Sequence, residues 1–336
     1  MQHPLAARRQ AQPTGVIETL SAGYTAVNRQ LWVLLLPILL DVFLWLGPHV
    51  SYSPLVGPAV TQASEWTRQV AFGPGTRRPT RGADPEFVTG VEDSRQFLIA
   101  RADEINGLSA LAWGPIGLPS LGVLTGPSST EDLAFVTGWG DGIALLVACI
   151  GVSLLLGGLF YGGLAAASTG ARGGPLAAGR AAPRAILDVL GLVGVLLGIA
   201  LLLGLPVLLL ISFTAFISRG VALLGSVLVG AALLWASVHL FFAIDAIFVS
   251  GAGPVAAIQR SVGLVRRNLW PSVALIVLTW LILAGMSRVW DILASNLQPP
   301  YGVALGILGN AYIASGLIAA GMVFYTQRTG EPAEHK

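Results

Sequence analysis

The chain reads as an all-α, polytopic membrane helical bundle. Six transmembrane helices are predicted as three repeats of a surface helix plus a helical hairpin, with one α-helical extracytoplasmic insertion. Three observations predict this. Apolar residues make up 54% of the chain and charged residues 11%, against roughly 45–50% and 25% in soluble domains; mean hydropathy is +0.74. Six apolar runs approach or exceed the roughly 20 residues that carry a helix across about 30 Å of hydrocarbon. A short sequence theme recurs ahead of alternate runs.

That theme opens on a glycine. Gly15-Val16-Ile17 leads into Val27-Asn28-Arg29-Gln30-Leu31-Trp32, and Gly253-Pro254-Val255 leads, at the same spacing, into Val265-Arg266-Arg267-Asn268-Leu269-Trp270. A fainter copy begins at Gly174-Pro175-Leu176-Ala177-Ala178, and Pro183 is expected to break it. In the copy after Gly253, residues Val255, Ile258, Val262, Val265 and Leu269 form one helical stripe, with Gln259, Arg260, Arg266 and Arg267 off it. Ile17, Leu20, Tyr24, Val27 and Leu31 repeat that stripe. A helix of this kind lies in the membrane interface, its apolar face in the acyl boundary and its arginines among headgroups. Arg29, Arg260, Arg266 and Arg267 are therefore candidate lipid-headgroup contacts, serving either plain anchoring or recognition of anionic lipid.

The expected spans are Leu31–Val50, Gly142–Ala166, Ile186–Ile211, Val221–Ser250, Trp270–Val289 and Gly302–Tyr325. Segments 1–30, 167–185, 253–269 and 326–336 then lie on one side. Arg8, Arg9, Arg29, Arg172, Arg180, Arg184, Arg260, Arg266, Arg267, Arg328 and Lys336 fall there, whereas the short opposite loops carry only Arg219 and Arg288. The positive-inside rule puts both termini in the cytoplasm. Trp32, Trp45, Trp139, Trp270 and Trp290 sit near span ends, as an aromatic belt does. No secretory signal is legible in the first thirty residues. The net charge of +2 gives no ground for nucleic acid.

The insertion, 51–141, is the sizeable polar region. Asp84–Ala112 reads as one helix, with a stripe of Val91, Leu98, Ala102, Ile105 and Leu108 and ion pairs Glu92/Arg95 and Arg101/Glu104. Leu55–Phe72 is a weaker helix, Gly73–Gly82 a turn, and Trp113–Thr130 irregular. The 84–112 helix either folds on Leu55–Phe72 or lies on the outer leaflet. It is the expected contact for a membrane-protein partner, because loops on a rigid scaffold tend to carry function.

Inside the spans, Asp41 and His239 fall at similar depth and form the candidate intramembrane polar site; ionisable groups there are rare and costly. Asp245 is expected to reach arginines of the third surface helix, and Arg184/Asp188 and Arg288/Asp291 to pair locally. Gly158/Gly162, Gly194/Gly198 and Gly302/Gly306 are GxxxG pairs that permit close helix approach. Pro37 and Pro206 are expected to kink spans, and Gly204-Leu205-Pro206 is the candidate broken helix.

Catalytic signatures are missing from the sequence. His3, His49, His239 and His335 show no metal-ligand spacing, Cys149 stands alone, and neither a GxSxG nor a lysine-bearing phosphate loop occurs. No enzyme, cofactor or metal is expected. The stretch Gly253 to Ser261, continued by Leu264-Val265-Arg266-Arg267-Asn268-Leu269-Trp270, resembles the surface-helix signature of bacterial six-span proteins: the membrane domain of some glycerophosphoryl diester phosphodiesterases and the YciC-like group. The resemblance implies a six-span bundle without the phosphodiesterase catalytic domain, and it assigns no site residue. The functional expectation is a non-catalytic scaffold or accessory subunit of a membrane assembly. The alternative is a transporter using Asp41 and His239.

Overall fold

The computed structural model describes residues 15–72, 85–104, 106–121, 133–171, 174–297 and 300–330. The chain forms two compact units, Met1–Pro37 with Leu154–Lys336, and Ile38–Ser153. Among the described residues, five helices are long and apolar enough to cross a membrane, or six if the bent pair Val16–Arg29 and Leu31–Leu46 is one span. The molecule is thus a multi-pass helical membrane protein.

In the first unit, two surface helices share one geometry. Helix α1 (Val16–Arg29) and a later helix, Pro254–Arg267, each run 14 residues. Each starts from an extended glycine, Gly15 at φ −62° and ψ 166° and Gly253 at φ −66° and ψ 167°. Each stops where an amide residue leaves helical space, Gln30 at φ −137° and ψ 60° and Asn268 at φ −133° and ψ 44°. The buried residues are Thr19, Gly23, Ala26 and Val27 in one and Ala257, Ser261, Leu264 and Val265 in the other. Counted from the glycine, these are the same four positions.

This divides the apolar stripe expected from the sequence. Of the stripe, Val27 and Val265 are fully buried, whereas Ile17 is 77% exposed and Val255 55%. Each surface helix therefore has two apolar edges. The inner edge joins Val27, Leu264 and Val265 with the small Thr19, Gly23, Ala26, Ala257 and Ser261, which let backbones approach. Ile17 and Val255 face outward, where the acyl boundary would cover them.

After α1, four residues of 3₁₀ helix (Leu31–Leu34) precede α2 (Leu35–Leu46), and the chain turns by 90° between the two helical pieces. The first span is shorter than expected. Sixteen residues at helical rises of about 1.5 and 2.0 Å reach roughly 26 Å, and Gly47-Pro48 ends the run.

The second unit, Ile38–Ser153, holds most of α2, β1 (His49–Ser51), α3 (Ser53–Phe72), α4 (Pro85–Glu104), β2 (Leu133–Phe135) and the start of α5 (Trp139–Ser168). β1 and β2 pair in parallel, His49 opposite Leu133 and Ser51 opposite Phe135. α4 packs on α3, the first of the two arrangements expected from sequence. The 84–112 helix is not continuous: α4 ends at Glu104, and Asn106 opens a 3₁₀ turn over Gly107–Leu111. Asn106 decides this. Its Oδ1 accepts from Leu108 N (3.0 Å) and from Val50 N (3.1 Å), and its Nδ2 donates to Pro48 O (3.3 Å). A side chain that satisfies turn and strand backbone together competes with helix. Beyond it, Leu111, Ala112, Ile116, Leu118 and Leu121 are buried, so this irregular stretch is packed core. The Glu92–Arg95 ion pair forms at 2.6 Å. Gly73–Gly82, the side chains of Arg101 and Glu104, and 122–130 lie outside the described residues.

The remaining helices belong to the first unit beyond Leu154: the rest of α5, α6 (Pro175–Ile199), α7 (Leu205–Ile217), α8 (Arg219–Leu240), α9 (Ala243–Ser250), α10 (the surface helix Pro254–Arg267), α11 (Leu269–Asn296) and α12 (Tyr301–Thr329). α12 is the core helix. A Cβ on Gly23 of α1 would stand 2.5 Å from Ala320 N of α12. A Cβ on Gly316 would stand 2.2 Å from the Tyr24 ring, so Tyr24 fills the notch that glycine leaves. The Tyr24 ring also meets the Tyr312 ring in a tilted contact, centroids 5.5 Å apart at 36°. From α11, Trp290 enters the notch at Gly309 and is 8% exposed. It is a packing residue, which corrects its place in the aromatic belt; Trp139 and Trp270 remain exposed.

Two proline expectations are corrected. α6 runs through Pro183. Gly179, whose carbonyl loses its donor to that proline, is only half-buried, so water can take the orphan group. Pro206 does not break its span either: residues Ala200–Gly204 form a π-helical turn, and Pro175–Ala215 is one 41-residue apolar element. Widening the turn just before a proline accommodates the missing N–H and relieves the ring's clash with the carbonyl four residues back.

Candidate functional site

α10 positions the site, and Ser261 positions α10. Span four is interrupted between α8 and α9, at Phe241 and Phe242. There Ser261 Oγ donates to His239 O (2.6 Å) and accepts from Phe242 N (3.2 Å). One buried hydroxyl thus satisfies both backbone ends that the interruption exposes. α9 ends on Gly251, at φ 61°, and the chain turns directly into α10.

Where α10 meets the last turns of α12, a cleft of about 330 Å³ opens, lined by Arg260, Arg267 and Arg328 together with Gln259, Asn268, Tyr325 and Thr329. Leu264 and Gly263 complete the wall. Among the described residues, none that lines it is acidic. Arg260 Nη1 donates to Ser250 Oγ (2.6 Å), and Ser250 Oγ shares a hydrogen bond with Tyr325 Oη (3.0 Å). Arg328 lies 3.9 Å over the Phe324 ring, a cation–π contact that fixes the guanidinium plane. Three guanidiniums lining one concavity favour an anion, and their forks match phosphate oxygens in particular.

Of the four sequence-predicted headgroup arginines, the cleft gathers Arg260 and Arg267. Arg29 and Arg266 are exposed and outside its lining. Arg328 was legible in the sequence only as one more inner-side cation; no local spacing connects it with α10.

The intramembrane candidates have separate surroundings. Asp41 is 3% exposed and belongs to the unit Ile38–Ser153. Its carboxylate accepts from Ser120 Oγ and from Leu121 N at 3.1 Å to each oxygen. His239 belongs to the other unit. It is 9% exposed, its Nδ1 lies 2.9 Å from Trp235 O, and its ring sits 4.4 Å from the Trp235 ring. Ser120 and Leu121 lie in a stretch read from sequence only as irregular, and nothing in it signalled a contact with Asp41.

Two expected ion pairs do not form. Arg184 and Asp188 make no salt bridge; Asp188 Oδ1 instead lies 4.0 Å from where a Cβ on Gly253 would stand, at the N-terminus of α10. A helix N-terminus attracts a carboxylate more than an exposed arginine one turn away does. Asp245, 6% exposed, pairs with no arginine among the described residues. Its carboxylate lies beside Gly321, while Arg260 is drawn to Ser250. The Asp291 side chain is outside the described residues. Among those residues, no three His, Cys, Asp or Glu side chains converge as metal ligands do. The chain matches no family model, no curated protein and no solved structure, so its cleft is read from its own residues.

Proposed function

We propose that this is a multi-pass protein of the bacterial cytoplasmic membrane, with six crossings and both termini cytoplasmic. In this reading it is a non-catalytic scaffold or accessory subunit that holds another membrane protein through its outer α3–α4 pair. The observation that carries the proposal is on that pair: Trp66 of α3 and Phe97 and Leu98 of α4 are 66%, 60% and 48% exposed. Large apolar side chains on a polar segment outside the spans mark a surface that something covers. Asp41 supports the same reading, since its carboxylate is committed to Ser120 and Leu121. The three-repeat plan draws support from the matching caps and buried positions of α1 and α10.

The test is recovery of neighbours from native membranes after crosslinking. Substituting Trp66, Phe97 and Leu98 together with serine is expected to leave insertion intact and lose the partner. The buried Asn106–Leu111 turn stays in place, unlike in a deletion of 84–112. Recovery of the same neighbours by the triple variant overturns the scaffold reading. Loss of a transported solute in both Asp41→Asn and His239→Ala would replace it with the transporter.

A further inference from the structure

The geometry points to the cleft between α10 and the end of α12 as a binding site for a phosphate-bearing anion. It does not depend on the scaffold reading. Arg260, Arg267 and Arg328 line a volume of about 330 Å³, at the small end of the roughly 300–1,000 Å³ typical of ligand sites. That suits a phosphate with part of its ester better than a bulky organic body. Around the guanidiniums stand neutral hydrogen-bonding groups, Gln259, Asn268 and Thr329, so polar partners are present, and no carboxylate stands among the described lining residues. Two of the cations are oriented from outside the cleft, Arg260 through Ser250 and Arg328 over Phe324. Such orientation lowers the ordering cost of binding. The third, Arg267, is exposed on the last turn of α10 and is free to close over a ligand.

Two sources share this chemistry. α10 presents the exposed Val255 on its outer edge, as a helix lying in an interface does, so an anionic lipid headgroup can reach the cleft. So can a soluble phosphate.

The cleft makes a distinction that composition does not. Arg266 and Arg267 are neighbours in sequence, yet only Arg267 lines the site. Gly263 provides a second handle, since a Cβ there meets nothing within 4 Å; Gly263→Phe can obstruct the cleft without disturbing helix packing. The experiment titrates the full chain in a neutral detergent, by calorimetry, with inorganic phosphate in one arm and dihexanoyl phosphatidic acid in the other. Saturable binding is expected, weakened roughly tenfold or more by Arg267→Gln, as the loss of a charge-assisted pair implies. Gly263→Phe is expected to abolish binding, and Arg266→Gln to change it by less than about twofold. Binding of the lipid alone assigns the headgroup, and binding of phosphate in either arm supports the site. If neither probe saturates, or if Arg266→Gln weakens binding as much as Arg267→Gln while both variants melt like the parent, the site is wrong.

Discussion

α12 and the rod formed by α6, its π turn and α7 are both long apolar helices, and the structure treats them in opposite ways. Half of the most apolar stretch of α12 is buried inside the protein, and none of the rod's is. Hydrophobicity cannot be the cause, because lipid tails receive leucine as readily as a protein core does. The difference lies in side-chain size. α12 carries Gly302, Gly309 and Gly316 at contacts where another helix's backbone or ring fills the space, and Gly321 beside the Asp245 carboxylate. The rod carries Leu201-Leu202-Leu203 and Leu208-Leu209-Leu210, all more than half exposed. Its own glycines do not change this: Gly194 and Gly198, a GxxxG pair, face open space. The same motif at Gly158/Gly162 lies against Ala182, Ile186 and Ala178 of α6. Spacing permits approach, and a partner surface has to supply it.

Substitutions can break or refine that contrast, all read as thermal unfolding in one detergent. The largest loss is expected at the α1–α12 contact. Gly23→Val forces a side chain against Ala320 backbone and Gly316→Val forces one into the Tyr24 ring; overpacking of this kind costs about 1–3 kcal/mol or more, and backbone cannot yield as a side chain can. Wild-type melting of both variants would remove the close packing on which the comparison stands. Next is Asp41→Leu, which leaves the buried Leu121 N without its acceptor and is expected to cost about 1–3 kcal/mol. Ser261→Ala should follow at about 1–2 kcal/mol, since two backbone groups at the α8–α9 interruption lose their shared partner. The smallest effect is expected at Gly198→Leu on the rod, within about 0.5 kcal/mol. A large loss there would show that the rod packs against something in the detergent-solubilised protein, such as a second copy.

Much of the fold was legible because helix length, apolarity and amphipathic spacing are local properties. The long apolar helices, the glycine starts of α1 and α10, and the Glu92–Arg95 pair all follow from residues within a few turns of each other. What escaped depends on distant partners. Asn106 binds Val50 and Pro48 across the insertion, Asp41 meets Ser120 and Leu121 far along the chain, and Trp290 fills a gap at Gly309. α1 and α10 were half legible: periodicity found the exposed Ile17 and Val255 and the buried Val27 and Val265, and passed over Thr19, Gly23 and Ser261, which carry no hydrophobic signal. The candidate cleft shows the same division, with Arg260 and Arg267 visible on one helix and Arg328 arriving from another.

The short parallel pairing of His49–Ser51 with Leu133–Phe135 has a reach beyond its size. By pinning residues 49–51 beside 133–135, it makes the length between them cheap to alter: each doubling of such a loop adds only about 0.6 kcal/mol of closure entropy. Insertions or deletions between the two strands are therefore expected to leave the melting temperature close to that of the parent, whereas the same changes inside a packed helix are not.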